Sequence, residues 1–413
     1  MGIPAANPEF PKPGLQAIPK HSDRESVEST IRNFSIVMGG PVYDLLLRFG
    51  IVRTGLPNLI RRILVLVAVT WLPLLLLSLK DGIAFGHQVK VPLLYDFSIY
   101  GRFFLGLPLL LYAETVIDPA IRLGIHEFVR AGIVTDEELP RLEDILRRAQ
   151  RLRDSIIPEV ILLISAFFPV FLFQHEWIAP VVSNWHTTGR GLTAAGWCFA
   201  IFSSALLRFM IYRWAFHYIV WAVLLWRIGR LRLVLVPTHP DHAAGLGFLA
   251  ISQKHFGILF CALACFFAGV VTNGMVFEGM PLSSFKFLML GFVVLSVIIG
   301  VAPLTMLTPK LMQVRKEGHL EYGRLAHAYT ESFDRKWVHY AERPPEELLG
   351  TSDIQSLADI GNSFGFVEHM RIAPISKRLV LQLGAQAGLP LIPVIIFGTP
   401  TAELVGAIMK MIT

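Results

Sequence analysis

Charge is scarce in this chain. Of its 413 residues only 16% are Asp, Glu, Lys or Arg, against 54% hydrophobic, and the mean hydropathy is +0.56. That balance excludes an ordinary soluble globular domain. Cysteine is also rare: three residues are too few for a disulfide framework, and Cys261 and Cys265 lie one helical turn apart inside an apolar run, as small hydrophobes do. No HExxH, P-loop, GxSxG or CxxC pattern occurs, so the familiar catalytic signatures give no purchase. Haem of the four-helix membrane kind needs several histidines within spans, and only His217 qualifies, so no cofactor is named. The first residues carry Pro4, Pro8, Pro11 and Pro13 without a basic flank, apolar core and cleavage site, so no secretory signal peptide is expected.

What is abundant is apolar sequence in runs of about 20 residues separated by short polar breaks. The pattern predicts an all-α, polytopic helical membrane protein with about six to seven transmembrane helices. A flexible segment over 1–35 precedes a transmembrane domain over 36–308, with spans at about 63–79, 97–116, 156–173, 192–226, 256–277 and 287–307. Within 41–49, Leu45 to Leu47 suggest a short interfacial helix. The second span is expected to stop at Asp118 and Pro119, because the residue before proline avoids the α region, and Asp118 then reads as the cap of a new helix. The fourth run is longer than one span requires. Either it is a single protruding helix or it breaks near Tyr212 to Trp214.

Lys and Arg placement orients these spans. Arg122, Arg130, Arg141, Arg147, Arg148, Arg151 and Arg153 form the densest basic segment, which assigns it and the N-terminus to the cytoplasm. The net charge of +6 is accounted for in this way, with anionic lipid as a possible partner of that segment and no nucleic-acid partner expected. The loop with His175, Glu176, Trp177 and His186 falls outside. Thr135 with Glu138 reads as a capping box, followed by Leu139, Leu142 and Leu146 on one helix face. A cytoplasmic region of amphipathic helices is expected over 309–378. Leu311, Val314, Tyr322, Leu325, Tyr329, Phe333 and Trp337 mark one helix, and a second begins at Ser352 and Gln355 and packs against it. A C-terminal membrane segment over 379–413 is interrupted by Pro390 and Pro393, so it either spans or re-enters.

Against this apolar background a carboxylate at Glu114 is expensive and asks for a partner or a task. Counting residues places Glu114 in the cytoplasmic half of the second span, with Glu159, Arg208 and Arg213 at similar depth, an available acid and base layer. The alternatives are structural. Glu114 and Arg208 would form a buried pair that fixes helix register, and Glu159 beside Pro158 would serve the first turn of its helix. Gln382 and Gln386 share one face of the last apolar segment and would line a polar path or bond to a neighbouring helix, with Gly384 and Gly388 on the other face. His239, Asp241 and His242 lie close enough to suggest a metal site, although Asp241 serves equally well as a cap.

His239-Pro240-Asp241 through Gly245-Leu246-Gly247-Phe248-Leu249, and Ile354-Gln355-Ser356-Leu357-Ala358-Asp359 through Gly361-Asn362-Ser363-Phe364, resemble a family of uncharacterised bacterial polytopic membrane proteins. The resemblance covers about the C-terminal half and implies a location in the bacterial inner membrane; it implies no mechanism. From the residues themselves the leading expectation is a channel or transporter, assembled as a homo-oligomer, whose path passes Glu114. A membrane-anchored interaction or sensory protein acting through the cytoplasmic helices is the second reading, and a metal-dependent membrane enzyme using the His239 loop is the third.

Overall fold

In the computed structural model, residues 21–41, 56–172, 183–188, 191–339 and 351–399 are described. They are almost entirely helical: α1 (His21–Arg32), α2 (Leu56–Lys80), α3 (Phe97–Arg130), α4 (Leu139–Arg153), α5 (Ile156–Leu172), α6 (Ala194–Ile228), α7 (Leu249–Phe277), α8 (Leu282–Thr305), α9 (Thr308–Phe333), α10 (Ser352–Glu368) and α11 (Lys377–Gly398). Between α5 and α6 lies a two-residue antiparallel ladder of β1 (Thr187–Thr188) and β2 (Gly191–Leu192).

Six helices, α2, α3, α6, α7, α8 and α11, are long and apolar enough to cross a membrane, and α5 is shorter but equally apolar. Their outward faces are greasy. Leu64 and Leu76 of α2 are 64% and 58% exposed, and Phe287 of α8 is 86% exposed. In water such a surface would drive association, whereas in hydrocarbon it costs nothing. The build is compatible with a multi-pass membrane protein.

Inside, α3 is the central post. Phe103, Leu107, Ile117, Ile121, Ile125 and Phe128 are all buried along it, against Trp221, Leu224, Leu225 and Ile228 of α6 and Leu249 and Phe256 of α7. At the end of α3 where the helix begins, α3 and α7 touch backbone to backbone: a Cβ on Gly101 would run into the carbonyl of Cys265, and one on Gly269 into that of Phe97. Small residues let apolar helices approach where no hydrophobic force between them exists in lipid. Polar cross-ties do the rest. Gln253, fully buried, accepts from Trp221 Nε1 at 3.0 Å and donates to the Gly300 carbonyl at 2.6 Å, joining α6, α7 and α8.

Several expectations are corrected. The helix does not end at Asp118: α3 runs through Pro119 to Arg130, since membrane helices tolerate the one lost N–H, and the Asp118 side chain reaches another segment instead of capping. Of the two alternatives for the fourth run, the structure has the first, one 35-residue helix without a break near Tyr212. The expected flexible segment contains α1, whose Val27 and Ile31 bury against α4 and whose following residues Phe34, Ile36 and Val37 enter the core. Thr135 precedes a short turn without a side-chain capping bond. Glu138 instead pairs with Arg141 at 3.0 Å. Thr351, one residue ahead of Ser352, is the N-terminal cap position of α10. Leu139, Leu142 and Leu146 of α4 are buried as expected, whereas Leu152 near its end is 42% exposed, and α9 and α10 lie against each other, with Tyr329 Oη donating to the Asp353 carbonyl at 3.0 Å. Most of the 41–49 segment, and His175 to Trp177, lie outside the described residues.

Candidate functional site

Glu114 has a partner, and it is Arg62. The guanidinium of Arg62, in the opening turns of α2, donates through Nη2 to Glu114 Oε2 at 2.7 Å, and the two side chains are 12% and 9% exposed. The pair stands at the wall of a cavity of about 270 Å3 between α2, α3 and α6, where Arg213 and His217 also appear, with Val65, Val69 and Phe209 as apolar lining. Arg213 hangs from the segment after α1 by bonds from Nη2 to the carbonyls of Val37 and Gly39, at 3.2 and 3.3 Å, and its Nε lies 3.9 Å from Glu159 Oε1. His217 is 4% exposed, and its Nδ1 has no hydrogen-bond partner among the described residues.

The structure therefore brings Glu114, Arg213 and, one step behind, Glu159 together. It leaves Arg208 out of this cavity. Arg208 donates from Nε to the Ala166 carbonyl at 2.7 Å and from Nη1 to Ser204 Oγ at 3.0 Å, on the other face of α6. Residue counting gives a side chain's position along a helix but not the direction it faces. Arg62 immediately precedes the first expected span, 63–79, where a basic residue serves as an orientation marker, and that place at the end of the span was the available signal.

Asp118, one helical turn below Glu114, holds the segment after α1 onto α3. Its Oδ1 accepts from Ser35 Oγ at 2.7 Å and from the Ile36 N–H at 3.0 Å, and Arg122 Nη2 donates to Oδ2 at 2.8 Å. That segment in turn supplies the carbonyls that seat Arg213, so Asp118 sets the floor of the cavity indirectly.

A second polar region, unforeseen from the sequence, occupies the other end of the bundle. Two helical turns there are π-helical: Leu107 N–H bonds back to Arg102 O, and Ser204 N–H to Phe199 O, each five residues away. Such turns cluster at functional sites because the extra residue displaces side chains from the regular helical face. Asp96 anchors this end by accepting from Ser98 N–H, Ser98 Oγ, Asn273 Nδ2 and Trp185 Nε1, at 2.6 to 2.9 Å. His186 packs beside Trp185 and Phe199. Burial pushes its imidazole down to about 4, outweighing the opposing pull of Asp96 and reinforced by Arg102, so the ring is neutral near pH 7.

The His239 loop is a structural turn. Asp241 accepts from the backbone N–H groups of Ala243, Gly245 and Gly247, at 2.7, 3.1 and 2.7 Å, and from His239 at 2.9 Å, while the His242 ring lies against Phe366. His242 and Ala244 have φ of 52° and 55°, a left-handed backbone that this carboxylate holds in place. Among the described residues no group of three His, Cys, Asp or Glu side chains gathers to hold a metal. Burial raises the Asp241 carboxyl, but the three backbone donors and His239 outweigh it and hold the group below the ordinary Asp range. A depressed folded pKa contributes stability above the unfolded value, near 3.9, and loses it as pH falls through the folded one. Asp241→Ala is expected to cost about 2 kcal/mol at neutral pH and to remove that acid-dependent part of the unfolding profile; thermal unfolding in detergent from pH 7 to 3 checks both.

Gln386 presses its Oε1 against Gly257 of α7 with no donor for it, and Gln382 is partly buried beside it on α11. Neither glutamine lines the cavities beside Glu114 or Arg102; α11 as a whole packs on α7 and α8.

Fold and polar interior together define the class, a helical bundle of membrane-spanning character with charged groups enclosed between apolar helices. No known protein family, curated protein or solved structure matches this chain.

Proposed function

We propose that the chain is an integral membrane channel or transporter whose path includes the cavity of Arg62, Glu114, Arg213 and His217. It sits in the bacterial inner membrane with the arginine-rich end of α4 and the N-terminus in the cytoplasm, as the distribution of Lys and Arg and the family resemblance suggest. Self-association and contacts of anionic lipid with the α4 arginines belong to the same reading. One observation carries it: the Arg62–Glu114 ion pair, an arginine held on backbone carbonyls and a histidine nitrogen without a hydrogen-bond partner among the described residues converge on one cavity between three helices. Ionisable groups between membrane helices are rare, face the bundle interior or a water-filled cavity, and by default mark substrate, ion or proton pathways.

Reconstituted vesicles loaded with a pH-sensitive or ion-sensitive dye test this. The wild-type chain is expected to pass protons or small ions under one sign of membrane potential, and Glu114→Gln to change that flux at least tenfold. Vesicles that stay tight under both signs would sink the proposal.

A second reading has its own support. α9 and α10 leave Leu320, Leu325 and Ile354 more than a third exposed on a helical pair rich in charge, a surface suited to a protein partner.

A further inference from the structure

Arg102 is a cation without a salt-bridged anion among the described residues. It lies in the first π-helical turn of α3, its guanidinium donates to no acceptor among the described residues, and its Cζ lies 5.6 Å from the centroid of the Phe199 ring. Asp96 is near enough to feel its charge, but four other donors already converge on that carboxylate. Arg102 faces two adjoining cavities of about 370 and 400 Å3, which share Arg102, His186 and Phe199 as a common wall.

The larger cavity has a second arginine. Arg208 of α6 lines it, spending its own donors on the Ala166 and Ala200 carbonyls and Ser204 Oγ, all of which are neutral. Two positive charges thus border one partly open cavity between apolar helices, and neither has a carboxylate within salt-bridge distance among the described residues. Uncompensated charge in such surroundings is expensive, and a bound anion removes most of that expense. The rest of the wall is apolar, with Leu192, Leu207, Ile211 and Phe266. A volume of this size is that of a small-molecule site, far larger than a halide ion needs.

From this geometry we infer that the cavity between α3 and α6 binds a small organic carboxylate, its charged group held by Arg102 and its apolar body against Phe199, Phe266 and Leu207. A planar guanidinium with its donors free matches a carboxylate in a two-point contact, and Arg208 supplies the second positive charge at longer range. His186, neutral near pH 7, adds no third charge. This inference stands apart from transport through the Glu114 cavity: equilibrium binding is measured on purified protein, so tight vesicles would leave it standing.

Benzoate is a suitable probe, with benzamide as its uncharged counterpart of the same shape. Titration calorimetry on the full chain in detergent is expected to show saturable benzoate binding, at least tenfold tighter than benzamide. Arg102→Gln should weaken benzoate at least tenfold while leaving benzamide unchanged, and Arg102→Lys should fall between. Equal affinity for benzoate and benzamide in the wild-type chain would overturn the inference without recourse to any variant. So would wild-type affinity in a folded Arg102→Gln protein, or chloride that competes with benzoate at equal concentration, which would mark a halide site.

Discussion

Glu114→Ala should destabilise the protein by about 3–5 kcal/mol, because it strands the Arg62 guanidinium between apolar helices with nothing to answer its charge. The side chains are 12% and 9% exposed and only 2.7 Å apart, and the cavity beside them is lined mostly by apolar side chains that cannot take the carboxylate's place. Arg62→Leu should cost a comparable amount for the complementary reason. Replacing both, as Arg62→Leu with Glu114→Leu, should recover most of the loss, since the expense lies in an unpaired charge rather than in the absence of the pair. Thermal unfolding in detergent, followed by tryptophan fluorescence, measures all three. If the double replacement loses as much as the two single ones combined, the pair is not acting as a unit and its place beside the cavity needs another explanation.

The second large effect is expected at Asp118. This carboxylate is 1% exposed and collects the Ser35 hydroxyl and the Ile36 amide of the segment after α1 together with the Arg122 guanidinium, which itself donates from Nε to the Phe34 carbonyl of that segment at 3.1 Å. Asp118→Ala leaves those donors unmet and should cost about 3–5 kcal/mol. The loss should be local before it is global. The segment from α1 to Gly39 is held to the bundle by this group and by Arg153, whose Nη1 donates to the Ser35 carbonyl at 2.6 Å, so the variant should become sensitive to protease between α1 and Gly39 while the spans stay intact. Because the Val37 and Gly39 carbonyls seat Arg213, the same variant should also disturb flux in vesicles. Protease resistance equal to the wild type would show that the segment is held without Asp118, by its apolar residues and by the bonds of Arg122, Arg153 and Arg213 to its carbonyls.

The two polar regions differ in how readable they were. Glu114 stood out because a carboxylate within an apolar run has no cheap explanation, and Glu159 and Arg213 followed from depth, each residue adding 1.5 Å along a helix. Arg102 lies in an equally apolar run, yet near the end of a span an arginine is easily read as snorkelling to the interface. What makes it unusual is that Asp96 is already satisfied by Ser98, Asn273 and Trp185, the last two of which come from segments 177 and 89 residues away. No local pattern carries that information.

Sequence alone determined the class of structure: apolar runs of span length demand helices in lipid because every backbone group must be bonded within its own segment. It also determined that Glu114 would need an answering group. Tertiary structure alone decided which group answers. A helix side chain's depth follows from residue number, but the direction it faces relative to its neighbours depends on how helices rotate and cross. That rotation turned Arg208 toward Ala166 and the far cavity, and brought Arg62, the orientation marker, to Glu114. The same packing carried α3 straight through Pro119, where local preference alone would have stopped it.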